Sequence, residues 1–400
     1  MHSLAADRAL QLCWYRGFEM SSPPRIVIAM DSFKGCLSSL EAGRLVADVL
    51  SQAMPEAETN VIPTADGGEG TAEAVHQAAG GEVRTAWVTG PLGEPVEARY
   101  VLLPGAATAV MDMASASGLE LVPRERRDPW IASSVGTGEL MCAAMDDGVG
   151  EIVIGIGGSA TVDGGLGMAE GLGYRLLDAD GRACPRGGQA MTRVATINAS
   201  GVRPELCDVG VRVACDVDNP LLGEHGAARV FGPQKGADAA MVEQLEAGLA
   251  NLARVWRHSG LLAFVDRPGD GAAGGLGAGL RAFCRAEISP GADLVAQMTG
   301  LDAALRDADF LVTGEGRTDE QTLHGKLCWS IGRMARRAGA RTVLISGAIR
   351  EGLAGFESVF DAAFASVDES CPVDEALRHG RRNLEKAARR AAAWILQSEM

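Results

Sequence analysis

The sequence predicts an α/β protein with a parallel sheet covered by helices on both faces. Three observations carry that reading. Short β-branched runs alternate with longer stretches of helical apolar spacing through most of the 400 residues. Strand-like runs repeatedly end in Gly- and Asp-rich turns, and Gly reaches 52 residues without the period of collagen. The chain is 47% hydrophobic and only 22% charged, enough for a sizeable core in two or three domains at roughly 150 residues each.

The elements follow in order. "RIVIAMDS" (25–32) is a buried strand. "SSLEAGRLVADVLSQAM" is a helix with Ser38 or Ser39 as N-cap and Glu41 in its first turn. "TNVIPTADGGEGT" (59–71) is a strand entering a glycine loop, and "TAEAVHQAAG" is the next helix. "EARYVLLP" and "TAVMDMA" are strands, "TGELMCAAMDDG" is a helix, and "EIVIGIGG" is the strand after it. "VRVACDVDNP" and "ADFLVTGEG" are strands that end in acidic loops. "KLCWSIGRMARRAG" is a basic-faced helix leading to the strand "RTVLISGAI". "RPGDGAAGGLGAGL" (267–280) reads either as a linker or as a helix packed tightly on a neighbour or a phosphate. Most polar, Gly-rich segments fall just after a strand, the edge of open α/β sheets where ligands bind.

The net charge of −15 disfavours nucleic acid, whose phosphates it would repel. No run approaches the ~18 apolar residues of a membrane helix. Nine Cys without a C-x-x-C pair argue against zinc and a disulfide framework, and suit a reducing cytoplasm. Residues 1–22 lack an apolar core of signal-peptide type and are expected to be a flexible extension.

"GIGGSA" (155–160) has the G-x-G-x-x-A spacing of a dinucleotide fingerprint, with Asp178 downstream, which makes an NAD(P)-dependent hydroxy-acid oxidoreductase the rival reading. The fingerprint needs a helix to start at its second glycine. Gly164, Gly165 and Gly167 disfavour that, so the helix is expected near Leu166 and the loop reads better as a cradle for phosphate or substrate. There is no P-loop, no G-x-S-x-G elbow and no His metal spacing. What remains is four acidic loops at strand ends, around Asp31, Asp66, Asp216 and Glu315, with Lys34, Lys235, Arg317 and Lys326 as counter-charges. Carboxylates beside glycine loops suit Mg²⁺-assisted phosphoryl transfer.

"DSFKGCLSSLEA", "ADGGEGTAEA", "VTGPLGEPVEA", "SSVGTGEL", "IGIGGSATVDGGLGM", "CDVDNPLLGEHGAARVFGPQKGA", "GAAGGLGAGL" and "VTGEGRTDEQTLHGK" resemble the bacterial glycerate kinases of the type-1 family, in collinear order over roughly residues 25–390. The resemblance implies ATP-dependent, Mg²⁺-requiring phosphorylation of D-glycerate to 2-phosphoglycerate or 3-phosphoglycerate, in glyoxylate, glucarate or serine-linked catabolism. It implies two three-layer α/β/α domains: a Rossmann-like domain from both chain ends (23–90 and 290–400) and an inserted α/β domain (91–289), with the active site in the cleft between them. The enzyme is expected to be cytoplasmic, a monomer or homodimer, with no nucleic-acid or membrane partner.

In that frame the first domain is expected to contribute Asp31, Ser32, Lys34, Asp66, Glu315 and Arg317. The inserted domain is expected to contribute Gly157, Gly158, Ser159, Asp163 and Lys235 to the nucleotide, and Asp216. Asp216 is the candidate base, with Asp66 next and Lys34 also catalytic. Asp31, Ser32, Lys34 and Arg317 face glycerate, a guanidinium being the best bidentate partner for its carboxylate. Asp66 and Glu315 are the expected metal ligands. The chain departs from the family pattern at Cys36 (commonly Ser), Val162 (commonly Asn) and Asp270 (commonly Ala), the last adding an anion near a possible phosphate contact.

Overall fold

The computed structural model describes residues 23–105, 107–261, 266–323, 326–350 and 352–398, so the expected extension at 1–22 lies outside the described residues. Among them the strands are β1 (Arg25–Met30), β2 (Glu58–Val61), β3 (Glu82–Thr89), β4 (Pro95–Leu102), β5 (Thr108–Asp112), β6 (Glu151–Gly155), β7 (Arg175–Leu177), β8 (Thr196–Asn198), β9 (Gly210–Ala214), β10 (Glu287–Ser289), β11 (Phe310–Thr318), β12 (Arg341–Ile349) and β13 (Ala362–Ala365). The chain forms two compact units. Unit 1 takes the chain up to Ala65 and from Ala296 onward; unit 2 is Asp66–Val295.

Unit 1 is a five-stranded parallel sheet in the order β13-β12-β11-β1-β2. The five apolar residues of "IVIAM" in β1 are all buried, as a strand covered on both faces requires. Helices Ser39–Ala53 and Gly380–Ser398 cover one face, packing Val46, Leu50, Leu384 and Ala388 onto Ile26, Ile28, Phe310 and Val343. Helix Leu327–Ala338 covers the other, placing Cys328 against Leu344 and Phe360. Ser38 is the N-cap of the first helix and forms a capping box with Glu41. The chain winds from β1 to β2 on one side, then returns to β11, β12 and β13 on the other. That places the topological switch between β1 and β11, where an open α/β sheet presents its ligand crevice.

Unit 2 is built on a six-stranded mixed sheet, β10-β9-β6-β5-β4-β3. β5, β6, β9 and β10 are parallel, but β3–β4 and β4–β5 are antiparallel. The parallel rhythm gives way to antiparallel pairing at the β3–β4–β5 edge of this sheet. The reason is connection length: a parallel return needs a crossover of a dozen or more residues, and the links from β3 to β5 are too short. This also moves the domain boundary. β3 hydrogen-bonds to β4 along its whole length, so residues 66–90 belong to unit 2 rather than to the first domain, and the second boundary falls at 295/296 instead of 289/290.

A single large core lies on one face of this sheet, with Met111, Ile152, Ile154 and Val213 against Leu140, Leu166, Leu249 and Trp256. Helix Thr71–Ala79 packs on the other face over β4 and β5. "GAAGGLGAGL" is no linker. Ala273, Gly274 and Gly275 take left-handed backbone and the segment then runs as helix to Cys284, buried almost throughout. A Cβ at Gly274 would lie 2.1 Å from the Thr161 carbonyl oxygen, so only glycine permits that approach.

Candidate active site

The chemistry-bearing residues of each unit gather at the carboxyl edge of its own sheet. In unit 2 the loop Asp66–Gly70 lies on the ends of β6 and β9. A Cβ on Gly67 would meet the Ala214 backbone at 2.8 Å, and one on Gly157 would lie 2.6 Å from the Gly68 Cα. Backbone meets backbone here because the side chains are missing. Asp66 accepts the Gly68 amide at 3.0 Å. Just after β9, Asp216 accepts the amides of Gly291 (2.6 Å) and Ala292 (3.2 and 3.3 Å). Burial pushes the Asp216 carboxyl up to about 7; the Ala292 amide opposes the shift and the negative charge of Asp66 adds to it. A carboxylate that takes up a proton near neutral pH is suited to general-base work.

Asp112, at the end of β5, was missed by sequence reasoning. Its carboxylate accepts the amides of Gly70 (2.9 Å) and Ala72 (3.1 Å), which ties the first turn of helix Thr71–Ala79 to the sheet. Desolvation raises it to about 7. The signal available was an Asp closing an apolar strand, "TAVMD", which alone is too common to single out.

The Gly155–Ala160 loop is no dinucleotide fingerprint. Helix begins only at Leu166, with Gly165 in left-handed backbone before it, so the helix that follows this loop does not start at Gly157 as the fingerprint requires. Asp178 caps a turn after β7, accepting the Asp180 and Arg182 amides. Asp163 is fully buried and serves the loop from inside, accepting from the Ser134 amide and hydroxyl and from the Gly165 and Gly167 amides. Lys235 is 2% exposed and donates to Ser159 Oγ (2.6 Å) and to the Thr161 carbonyl (2.7 Å). Desolvation lowers its ammonium to about 7, with Asp163 pulling the other way. Ser159 and Lys235 are thus brought together, while Gly157 and Gly158 stay partly or fully exposed at the loop's outer edge. Asp270, expected to disturb a phosphate contact, is neutralised instead: Arg281 Nη1 lies 2.6 Å from both its oxygens, and Arg267 N donates to it at 2.8 Å.

In unit 1 the Asp31 amide donates to the Gly314 carbonyl (2.7 Å), which sets the Asp31-Ser32-Phe33-Lys34 turn beside the end of β11 at the switch point. Lys34 is exposed. Arg317 faces Asp319 and Glu369 at 3.9 and 3.8 Å, and Lys326 faces Asp319 at 3.9 Å. Glu315 is 5% exposed, and its Oε1 accepts from Thr318 and Thr322, both at 2.8 Å. Burial raises it, and those two hydroxyls oppose the shift. Asp66 falls in unit 2, not in the first domain, and stands with Asp216. The expected metal pair of Asp66 and Glu315 is therefore divided between the units, and among the described residues no group of three or more acidic, His or Cys side chains is preset for a metal ion. No described helix is long and apolar enough to cross a membrane.

The sequence profile of the glycerate kinase family matches residues 26–396. The chain belongs to that family. It is 46% identical over 368 residues to a glycerate kinase of Halalkalibacterium halodurans, covering 92% of this chain and 97% of that one. A glycerate 2-kinase of Escherichia coli K12 is 43% identical over 372 residues, covering 93% and 98%. A solved glycerate kinase 2 structure from Salmonella typhimurium LT2 matches with a TM-score of 0.82 at 42% identity, over 94% of this chain and 100% of that one. The protein is a kinase, a phosphotransferase with an alcohol group as acceptor. The oxidoreductase reading finds no support in its relatives or in its Gly155–Ala160 loop.

Proposed function

We propose that this glycerate kinase transfers the γ-phosphoryl group of ATP to the 2-hydroxyl of D-glycerate, releasing 2-phosphoglycerate and ADP. The observation that carries the reading is Asp216. It is a carboxylate at the sheet's carboxyl edge, gripped by two backbone amides beside Asp66 and poised to accept a proton near pH 7. The glycerate hydroxyl gives its proton to Asp216 as its oxygen bonds to the γ-phosphorus. The bond from that phosphorus to the bridging oxygen breaks, and ADP leaves with the electron pair.

Glycerate's carboxylate pairs with Arg317 and Lys34, next to Asp31 and Ser32. The Gly157–Gly158–Ser159 loop offers backbone to phosphate oxygens. Lys235 and Asp163, both buried, act through that loop as positioning residues. Mg²⁺ commonly takes one or two carboxylates with phosphates and keeps its waters, which suits the oxygen-only donors of either unit; Asp66 in unit 2 and Glu315 in unit 1 are the candidates, each on its own unit. When bound it neutralises phosphate charge. The cytoplasm is the compartment assigned, and the 2-position follows the name of the Escherichia coli relative.

Phosphorus NMR after incubation with MgATP and D-glycerate tests activity and position together. A new phosphomonoester doublet, split by the single C2 proton, is expected. A triplet would move the product to 3-phosphoglycerate, and unchanged ATP would sink the proposal.

A further inference from the structure

We propose that unit 1 carries the nucleoside pocket of the kinase, at the carboxyl ends of β12 and β13, with Ile349, Ala365 and Val367 beneath the base and Glu369 at the ribose. This rests on the ATP-dependent reading above and names where the nucleotide is held. A cavity of about 570 Å³ opens there, lined by Ile349, Ala365, Val367, Asp368, Glu369 and Ser370. Its size falls within the range of small-molecule sites, and it joins an apolar patch to a few polar groups.

The local backbone explains the shape. Past the end of β13 the chain stays alongside β12, with the Ser366 and Val367 amides donating to the Ser346 and Gly347 carbonyls at 2.7 and 3.0 Å. It then turns at Asp368, whose Oδ1 takes the Ser370 amide (2.9 Å) and hydroxyl (2.5 Å). The apolar side chains Ile349, Ala365 and Val367 are left half-buried, a base-sized patch on a sheet edge that is otherwise polar.

Cations flank the patch on both sides. Lys34, Arg317, Lys326 and Arg350 lie toward β11 and β1, while Arg390 donates to the Ala365 carbonyl at 3.1 Å and Arg382 and Lys386 line a second cavity beside Val367. Lys326 is also the N-cap of the twelve-residue helix Leu327–Ala338, which has no side-chain cap and turns its amides and positive dipole end to this edge. β13 and β11 are two strand spacings apart, about 10 Å. A nucleoside over β12 and β13 can extend its phosphates across β11 toward Lys326 and the first amides of helix Leu327–Ala338, which leaves Arg317 and Lys34 to the glycerate carboxylate. Arg317 links the two ends, its guanidinium 3.8 Å from Glu369 Oε1. Glu369 is free to accept the ribose hydroxyls, since its hold on Arg317 is long.

Two variants test this, Val367→Glu, which sets a carboxylate under the base, and Glu369→Gln, an exposed change with little risk to folding. Val367→Glu should raise the KM for ATP and the Kd for a fluorescent trinitrophenyl-ATP by about tenfold, equivalent to ~1.4 kcal/mol, with the KM for glycerate unchanged. Wild type should prefer ATP to 2′,3′-dideoxy-ATP, and Glu369→Gln should erase most of that preference. Unchanged nucleotide affinity in Val367→Glu, or equal discrimination in wild type and Glu369→Gln, overturns the pocket. The binding measurement needs no glycerate. Intact nucleotide binding without phosphorylation of glycerate would refute the substrate assignment and leave the pocket supported.

Discussion

The two units solve the same problem, presenting polar groups at a sheet's carboxyl edge, in opposite ways. Unit 2 uses glycine and buried charge. Its loops approach so closely that a methyl group at Gly67, Gly157 or Gly274 would strike backbone, and its carboxylates at Asp112, Asp163 and Asp216 are spent on main-chain amides. Unit 1 uses long exposed cations on looser turns. Lys34 and Arg317 are exposed, Lys326 is half-buried, and the ion pairs of Arg317 and Lys326 run to 3.8–3.9 Å. The contrast is between amides fixed before any ligand arrives, which cost no reorganisation during reaction, and charges that adapt to anions of different shape.

The largest effect is expected at unit 2's proposed base. Asp216→Asn keeps the shape and removes the proton acceptor, so kcat should fall by about 10²–10⁴ with little change in KM. Steady-state kinetics that show near-normal kcat would discard the assignment.

Next comes the buried pair beneath the same loops. Asp270→Ala strands Arg281 without its partner and should destabilise unit 2 by about 3–5 kcal/mol, read from urea unfolding. Adding Arg281→Met should restore most of the loss. If the single variant is as stable as wild type, the ion pair is not formed in solution.

A matched pair of methyl additions then sharpens the contrast itself. Gly157→Ala should cost about 1–3 kcal/mol and depress kcat/KM, because its Cβ lies 2.6 Å from the Gly68 Cα. Gly316→Ala in unit 1 meets nothing closer than the Phe33 Cα at 3.9 Å and should stay within about 0.5 kcal/mol. Equal costs at the two sites would erase the distinction between rigid and adaptable edges.

A pH slope separates the buried charges from each other. Asp112 holds its proton to about 7 when folded and to 3.8 when unfolded. Between those values the folded state binds the extra proton, so this group's share of stability is present at the acid end and lost as pH rises toward 7. Lys235 has the opposite sign. Its folded value near 7 lies below the ordinary 10.5, so its burial weighs against folding below pH 7 and is relieved as pH climbs from 7 to 10.5. Wild type should lose stability relative to Asp112→Asn in chemical unfolding as pH is raised from 4 to 7, because only the Asp must give up its proton in a buried site. The difference for Lys235→Met should change only above 7. The reverse order would show that neither group is desolvated as described.

Local features were legible wherever a short-range rule decides them. The run "IVIAM" is a strand because five successive apolar residues must be buried on both faces, and Ser38 with Glu41 caps a helix through contacts three residues apart. The start of helix at Leu166 was readable because Gly164 and Gly165 favour left-handed backbone over helix. The acidic loops were recognisable as strand-end loops, since Asp and Gly close turns.

Partnership was not legible. Nothing within "TADGGEG" says that Asp66 stands beside Asp216, 150 residues on, or that β3 runs antiparallel to β4 and carries that loop into unit 2. Nor does "PQKGA" say that Lys235 is buried against Ser159, or "RPGD" that Asp270 meets Arg281. Residue identity fixed propensity, turn chemistry and family membership. Tertiary structure alone decided which carboxylate is desolvated, which amide it accepts and which cation stays in water, because those depend on the atoms that distant segments bring to the same place.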